Sequence, residues 1–192
     1  MRGPTRGPGK GIRSFVAVEL PAEIRDKVAE IQREISVPGL RMVKPDLVHI
    51  TMKFLGDVPP ARIDDVTRAL AGISFPAFPA RITGVGAFPG RSVRVVWLGA
   101  EGEFADLAAQ VEEALHPLGF EREKRRFSAH ATLARVSYPS REINDALRPW
   151  MERFARLDVG EFSVDQFFLK KSTLTPGGPI YENLARFPLR SD

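Results

Sequence analysis

Two of the three histidines in this chain stand in the same short pattern, His49-Ile50-Thr51 and His130-Ala131-Thr132, each inside an apolar run. Along a β-strand residues i and i+2 point to the same face, so each run presents an imidazole and a hydroxyl side by side. Imidazole is the side chain whose ordinary pKa lies nearest neutrality. A facing pair can therefore hold a neutral base and a protonated acid at one pH. A threonine hydroxyl can donate a hydrogen bond to a phosphate oxygen or accept one from a neighbour. Brought together, the two strands would form a site for acid–base chemistry at phosphorus.

Paired histidines also serve zinc, but the chain has no cysteine and neither an HExxH pattern nor a closely spaced His/Asp cluster to complete a ligand set. The residues favour acid–base catalysis over metal binding, with no cofactor expected. The third histidine, in Leu115-His116-Pro117, shares none of the pattern and is placed to end a helix.

The elements that must position these pairs are read from hydrophobic periodicity and from proline and glycine. A strand is predicted over Ser14 to Leu20, stopped by Pro21. A helix follows over residues 22–35, with Ile24, Val28, Ile31 and Ile35 at spacings of three and four. The first motif strand spans residues 47–55, and strict alternation would set His49, Thr51 and Lys53 on one face and Ile50, Met52 and Phe54 on the other. A helix over 62–70 leads to strands over 80–87 and 93–98 flanking a Pro89-Gly90 turn, and then to a helix over 103–115. After a charged connector at 121–126 comes the second motif strand over 127–136. Arg135 would lie on the face away from His130 unless a bulge intervenes. A helix over 141–154 contains Pro149, which should kink or end it. Strands over 161–170 and 180–189 close the chain about a Thr175-Pro176-Gly177-Gly178 turn.

Strand, helix, motif strand, helix thus occurs early and recurs later, with the two motifs 81 residues apart. This is the pattern of a diverged duplication. The expected fold is α+β and bilobal, pseudo-symmetric, with two mainly antiparallel sheets, helices on their outer faces and a central cleft lined by both His-Thr pairs.

At 192 residues, 43% hydrophobic and 27% charged, the chain has the composition of a globular protein with a real core. Its net charge of +4 resides in Arg2, Arg6, Lys10 and Arg13. Setting these aside leaves 24 basic residues against 24 acidic ones. Residues 1–12 read as a flexible basic tail ahead of a single domain over 13–192. A neutral body argues against a non-specific nucleic-acid binder but allows a local basic cleft, since Lys53, Arg125, Arg126 and Arg135 flank the motifs. There is no bilayer-length apolar run and no signal-peptide pattern. With cysteine absent as well, the expected setting is cytoplasmic, away from membranes. Nothing in the sequence points to an obligatory protein partner.

His49-Ile50-Thr51-Met52-Lys53-Phe54-Leu55-Gly56, with His130-Ala131-Thr132-Leu133-Ala134-Arg135, resembles the paired HxTx motifs of the two-histidine phosphoesterases, and among them the RNA 2′,3′-cyclic phosphodiesterases, historically called 2′-5′ RNA ligases. Arg13 to Val18 followed by Leu20-Pro21 is similar to that family's opening strand, and Val95-Val96-Trp97-Leu98-Gly99 to its central hairpin. The resemblance covers nearly all of the chain after the tail. It departs at Met52, where the family usually has Leu, and at Ala129, where Pro is common; neither side chain carries chemistry.

The resemblance implies hydrolysis of RNA 2′,3′-cyclic phosphate ends, tRNA halves among them, to 2′-phosphates without metal or ATP. It implies His49 as proton donor to the departing 3′ oxygen, His130 as the base that activates water, and Thr51 and Thr132 on the phosphate oxygens. The residues themselves do not distinguish acid from base. Lys53 and Arg135 are candidates for added positive charge, and Phe127 and Tyr181 for stacking on a nucleobase. The reverse reaction would be ATP-independent 2′-5′ ligation. The alternatives are a phosphodiesterase of small cyclic nucleotides and a non-catalytic RNA-binding module. Intact His and Thr at all four motif positions argue against the latter.

Overall fold

β-Branched and aromatic residues dominate the opening segment Ile12–Glu19, whose centre is buried on both sides, and this strand, β1, pairs along its whole length with the first motif strand. The computed structural model describes residues 11–35, 37–89 and 92–191. Residues 1–10 of the expected tail and Gly90 of the expected turn lie outside them. Pro21 sits at the N-cap of α1 (Ala22–Arg33), with its fixed φ ready for the helix. There follow β2 (Leu40–Met42), β3 (His49–Val58), α2 (Ile63–Ala71), β4 (Phe78–Phe88) and β5 (Val95–Glu101). The second half comprises α3 (Phe104–Leu115), β6 (His130–Val136), α4 (Arg141–Phe154), β7 (Asp158–Val164), β8 (Gln166–Thr175) and β9 (Gly178–Pro188). No helix among the described residues is long and apolar enough to cross a membrane.

The fold is α+β with antiparallel strands in the order β7-β4-β5-β6-β3-β1-β8-β9, and β2 adds to β6 off this path. The order is mirrored about the β6–β3 junction: each motif strand is central and has an antiparallel partner on its outer side, β5 for β6 and β1 for β3, reached through a helix. The two sheets expected from the sequence are the halves of this array, and they meet at one residue pair, Ile50 with Ala131. Beyond that pair β3 and β6 part, and β2 fills the gap, with Leu40, Arg41 and Met42 opposite Val136, Arg135 and Ala134.

Helices cover one face of the array and fasten its halves together. α3, from the second half, packs beneath β3 of the first. α1, from the first half, reaches β7 of the second, where the Lys27 ammonium donates to the Val159 carbonyl at 2.8 Å. The core between helices and sheet is continuous. Ile24, Val28, Phe104, Leu107, Val111 and Leu147 face Ile50, Leu98, Ala131 and Leu133, all nearly or fully inaccessible. Each large apolar side chain buried there contributes about 1.5–3 kcal/mol.

Two expectations about the elements are corrected, and one strand is added. The strand expected over 161–170 is two strands that part at Asp165. β2 was not foreseen, because three residues carry no periodicity. α4 runs through Pro149 without ending: Pro149 is exposed, so the carbonyl that loses its partner faces water, while Leu147, Trp150 and Phe154 anchor the helix on both sides of it.

Both motif strands bulge at the same place. In β3 the register against β1 passes from Ala17 opposite Thr51 to Val16 opposite Lys53. In β6 the register against β5 passes from Trp97 opposite Thr132 to Val96 opposite Ala134. Each bulge puts two successive residues on the helix side, Met52 with Lys53 and Leu133 with Ala134, all four of them buried. Beneath each lies a buried polar group. Under β3 the Lys53 ammonium meets Glu112 at 2.6 Å and the Glu121 carbonyl at 2.7 Å. Beside β6 the Gln32 amide donates to the Leu133 carbonyl at 2.9 Å and to Val43 at 2.6 Å.

A buried ammonium stripped of its carboxylate is costly. Glu112→Ala is expected to destabilise the fold by about 3–5 kcal/mol, read as a lowered urea midpoint. Lys53→Met combined with Glu112→Leu, which removes both charges and keeps the volume, is expected to recover most of that loss.

Candidate active site

The Ile50–Ala131 pair is antiparallel and both side chains are fully buried, so the residues on either side of each turn to the open face. Register carried one step either way sets His49 across from Thr132 and Thr51 across from His130. The four motif residues thus form one cluster in which each imidazole has a hydroxyl on its own strand and another across the junction.

Both imidazoles are held by the same device. His49 Nδ1 lies 2.7 Å from the Leu47 carbonyl, and His130 Nδ1 lies 2.7 Å from the Ser128 carbonyl. A carbonyl only accepts, so Nδ1 carries a proton in each ring, and Nε2 is left to take or give a proton on the other side. Aromatic rings pack against each imidazole. Phe15 lies 4.9 Å and Tyr181 5.3 Å from His49 between ring centroids, while Phe88 lies 5.3 Å and Trp97 6.1 Å from His130. Gly86 makes room for the Trp97 ring, since a Cβ there would come within 2.1 Å of it.

The two surroundings differ in polarity. Beside His49 opens a recess of about 190 Å³ lined by Glu19, Arg25, Lys170, Tyr181 and Asn183. Lys170, 6% exposed, pairs with Glu19, which is the register partner of His49, and donates to Asn183 at 2.6 Å. Burial of Glu19 alone would raise its pKa, but the Lys170 ammonium and the Asn183 amide hold it below the ordinary carboxylate value. Burial pushes His49 from 6.5 down to about 4, and the charges of Lys170 and Arg135 add to the effect. The Leu47 hydrogen bond and Glu19 oppose it. His49 is therefore neutral at pH 7. Tyr181 is raised by burial, against the pull of Arg135 and Arg13.

The bulges sort the remaining residues expected at the site. Arg135, expected on the far face of a regular strand, is carried onto the open face with His130 and Thr132, the outcome a bulge was needed to produce. Lys53 goes the other way. Expected beside His49, it is turned into the core, 4% exposed and paired with Glu112, while Phe54 takes its place on the open face, 62% exposed and 6.2 Å from Phe15 between ring centroids. Phe127 packs against the core from the connector before β6, and no ring contact joins it to either histidine among the described residues. Phe15, Phe88, Trp97 and the Glu19–Lys170–Asn183 network were not foreseen. Their sequence signal is that of ordinary strand residues, and only the pairing of β1, β4, β5, β8 and β9 brings them in.

The profile of the LigT-like phosphoesterases matches residues 18–97 and again residues 98–181, so that each match holds one of the two His-x-Thr strands. A protein of Archaeoglobus fulgidus named RNA 2′,3′-cyclic phosphodiesterase is 42% identical over 180 residues, covering 92% of this chain and 99% of its own. A protein of the same name from Methanocaldococcus jannaschii is 32% identical over 173 residues, covering 89% of this chain and 97% of its own. The crystal structure of E. coli LigT complexed with 3′-AMP superposes with a TM-score of 0.76 at 27% identity, covering 93% of this chain and 98% of that one.

A histidine held below its unfolded pKa binds its proton later than the unfolded chain does on acidification, so its contribution to stability is complete above 6.5 and is lost as pH falls toward about 4. An NMR titration of the imidazole C–H resonances is expected to give His49 a midpoint near 4. His49→Gln is expected to flatten the pH dependence of the urea midpoint across that window.

Proposed function

The chain belongs to the LigT-like phosphoesterase family, and on that footing we propose that it opens the 2′,3′-cyclic phosphate ends of RNA to 2′-phosphates, with the two histidines as acid and base and no metal in the reaction. What carries the reading is the matched pair of imidazoles, each with Nδ1 tied to a backbone carbonyl two residues back and Nε2 free. That arrangement fixes the tautomer a proton-transfer pair requires.

In the proposed step a water oxygen attacks phosphorus while His130 Nε2 takes its proton. The bond from phosphorus to the 3′ oxygen breaks, and that oxygen takes a proton from His49 Nε2. One water is consumed and a 2′-phosphate and a 3′-hydroxyl remain; His130 then returns its proton to solvent. Thr51 and Thr132 hydrogen-bond the non-bridging oxygens, and Arg135 supplies positive charge. Burial leaves His49 neutral near pH 7, so under this assignment it takes on its proton as the anionic phosphate enters, because an adjacent negative charge favours the imidazolium.

With an RNA 5′-hydroxyl in place of the attacking water, His130 Nε2 would take the hydroxyl proton, the bond from phosphorus to the 3′ oxygen would break with a proton from His49 Nε2, and a 2′-5′ linkage would form. Water at about 55 M outcompetes an RNA end that is not held in place, so hydrolysis dominates. RNA ends of this kind include tRNA halves. With zero cysteines, and so no disulfide framework, the cytoplasm is the proposed setting.

The test uses an RNA ending in 2′,3′-cyclic phosphate, with EDTA and without ATP. Wild type is expected to yield the 2′-phosphate, and His49→Ala and His130→Ala each to lose roughly 10²–10⁴-fold in kcat/KM. Placing sulfur at the bridging 3′ position gives a leaving group that needs no proton. The His49→Ala loss is then expected to shrink and the His130→Ala loss to persist. The reverse pattern would exchange the two roles, and absence of turnover by wild type would reject the reaction.

A further inference from the structure

β2 is three residues long, and its middle residue, Arg41, is the register partner of Arg135 in β6. Antiparallel partners point to the same face with Cβ atoms about 4.5–5.5 Å apart. Two exposed guanidinium groups are thereby held side by side on the open face, where β6 and β3 part. Like charges set directly opposite destabilise a strand pair. Among the exposed arginines, Arg81 is paired with Glu161 and Asp158, Arg122 with Glu113 and Arg153 with Glu34, while others such as Arg94 and Arg156 have no ion pair among the described residues; what is particular to Arg41 and Arg135 is that they stand directly opposite each other. Neither Arg41 nor Arg135 is paired with a carboxylate among the described residues.

The placement of this uncompensated pair follows from the β6 bulge. Because Leu133 and Ala134 both turn to the core, Arg135 is the next residue after Thr132 on the open face, about 7 Å along the strand. One phosphate held by the motif threonines would thus have its neighbour in an extended polynucleotide at the arginine pair. Two planar guanidiniums suit the bidentate recognition of a phosphodiester, and an anion between them would relieve their repulsion.

We propose that Arg41 and Arg135 form a second phosphate site, which takes the phosphodiester joining the terminal nucleotide to the one before it, so that the protein selects RNA ends over free cyclic mononucleotides. This rests on the proposed reaction and names its substrate class more closely. Arg135 lies between the two phosphates and serves both, whereas Arg41 addresses only the second.

The experiment compares a nucleoside 2′,3′-cyclic phosphate with a dinucleotide ending in the same group. Wild type is expected to favour the dinucleotide by roughly 10-fold or more in kcat/KM, mostly through KM. Arg41→Ala and Arg41→Gln are expected to remove that preference and leave mononucleotide turnover unchanged. A neutral methylphosphonate in the upstream linkage should reduce wild type to the level of the variants and have no further effect on them. Equal turnover of both substrates by wild type, or equal loss on both in the variants, would overturn the site. Affinities for the 2′-phosphorylated mononucleotide and dinucleotide give the same comparison without turnover. Should wild type open neither cyclic substrate, the reaction falls, and an Arg41-dependent preference for the dinucleotide product still decides the second site.

Discussion

The antiparallel pair Ile50–Ala131 is the constraint on which the rest of the site depends. Among the described residues it is the one pair at which the two halves of the sheet meet, and it fixes the register of both motif strands at once. Side chains alternate along each strand, so burying Ile50 and Ala131 against the helices turns His49, Thr51, His130 and Thr132 outward together. A slip of one residue in either strand would put an imidazole into the core and an apolar side chain into the cleft. The helices oppose such a slip, because α1 and α3 each cross beneath the other half and pack against that register.

The parting of the strands beyond that pair is as important as the pair. A fully zipped β3–β6 ladder would leave a flat sheet, whereas a single bridge with β2 wedged into the gap leaves an open face between two lobes. The bulges belong to this geometry. Each reverses the alternation after its His-x-Thr pattern, so the residue that emerges on the open face differs between the halves: Phe54 in one and Arg135 in the other. Their cost is met by buried polar groups on the helix side, Lys53 with Glu112 under one strand and Gln32 beside the other.

The duplication has thus kept the two imidazoles alike and made their surroundings unlike. Each donates Nδ1–H to a carbonyl two residues back. His49, however, lies beside a recess holding the Glu19–Lys170–Asn183 network, and burial there strips it of its proton at neutral pH. His130 lies against Phe88 and Trp97. Two copies of one motif can take opposite parts in proton transfer only if their environments differ, and here the difference comes from the outer strands.

The sequence alone determined what is local. Hydrophobic periods, prolines and glycines located every α-helix and all strands but β2, with β7 and β8 run together. The repeated His-x-Thr pattern picked out the four residues that share the open face, because side-chain alternation over three residues is set by backbone geometry whatever the fold. The tertiary structure decided where the side chains beyond those three residues point. A bulge is selected by how neighbouring strands register and by what lies beneath it, so Met52-Lys53 and Leu133-Ala134 carry no local sign of one. Lys53 therefore reads from sequence as a site residue and is a core ion pair, and Arg135 reads as a site residue only if a bulge intervenes and lies in the cleft. The lowered pKa of His49 and the pairing of Arg41 with Arg135 likewise arise only when segments distant along the chain are packed together, since desolvation and cross-strand charge are properties of the assembled sheet.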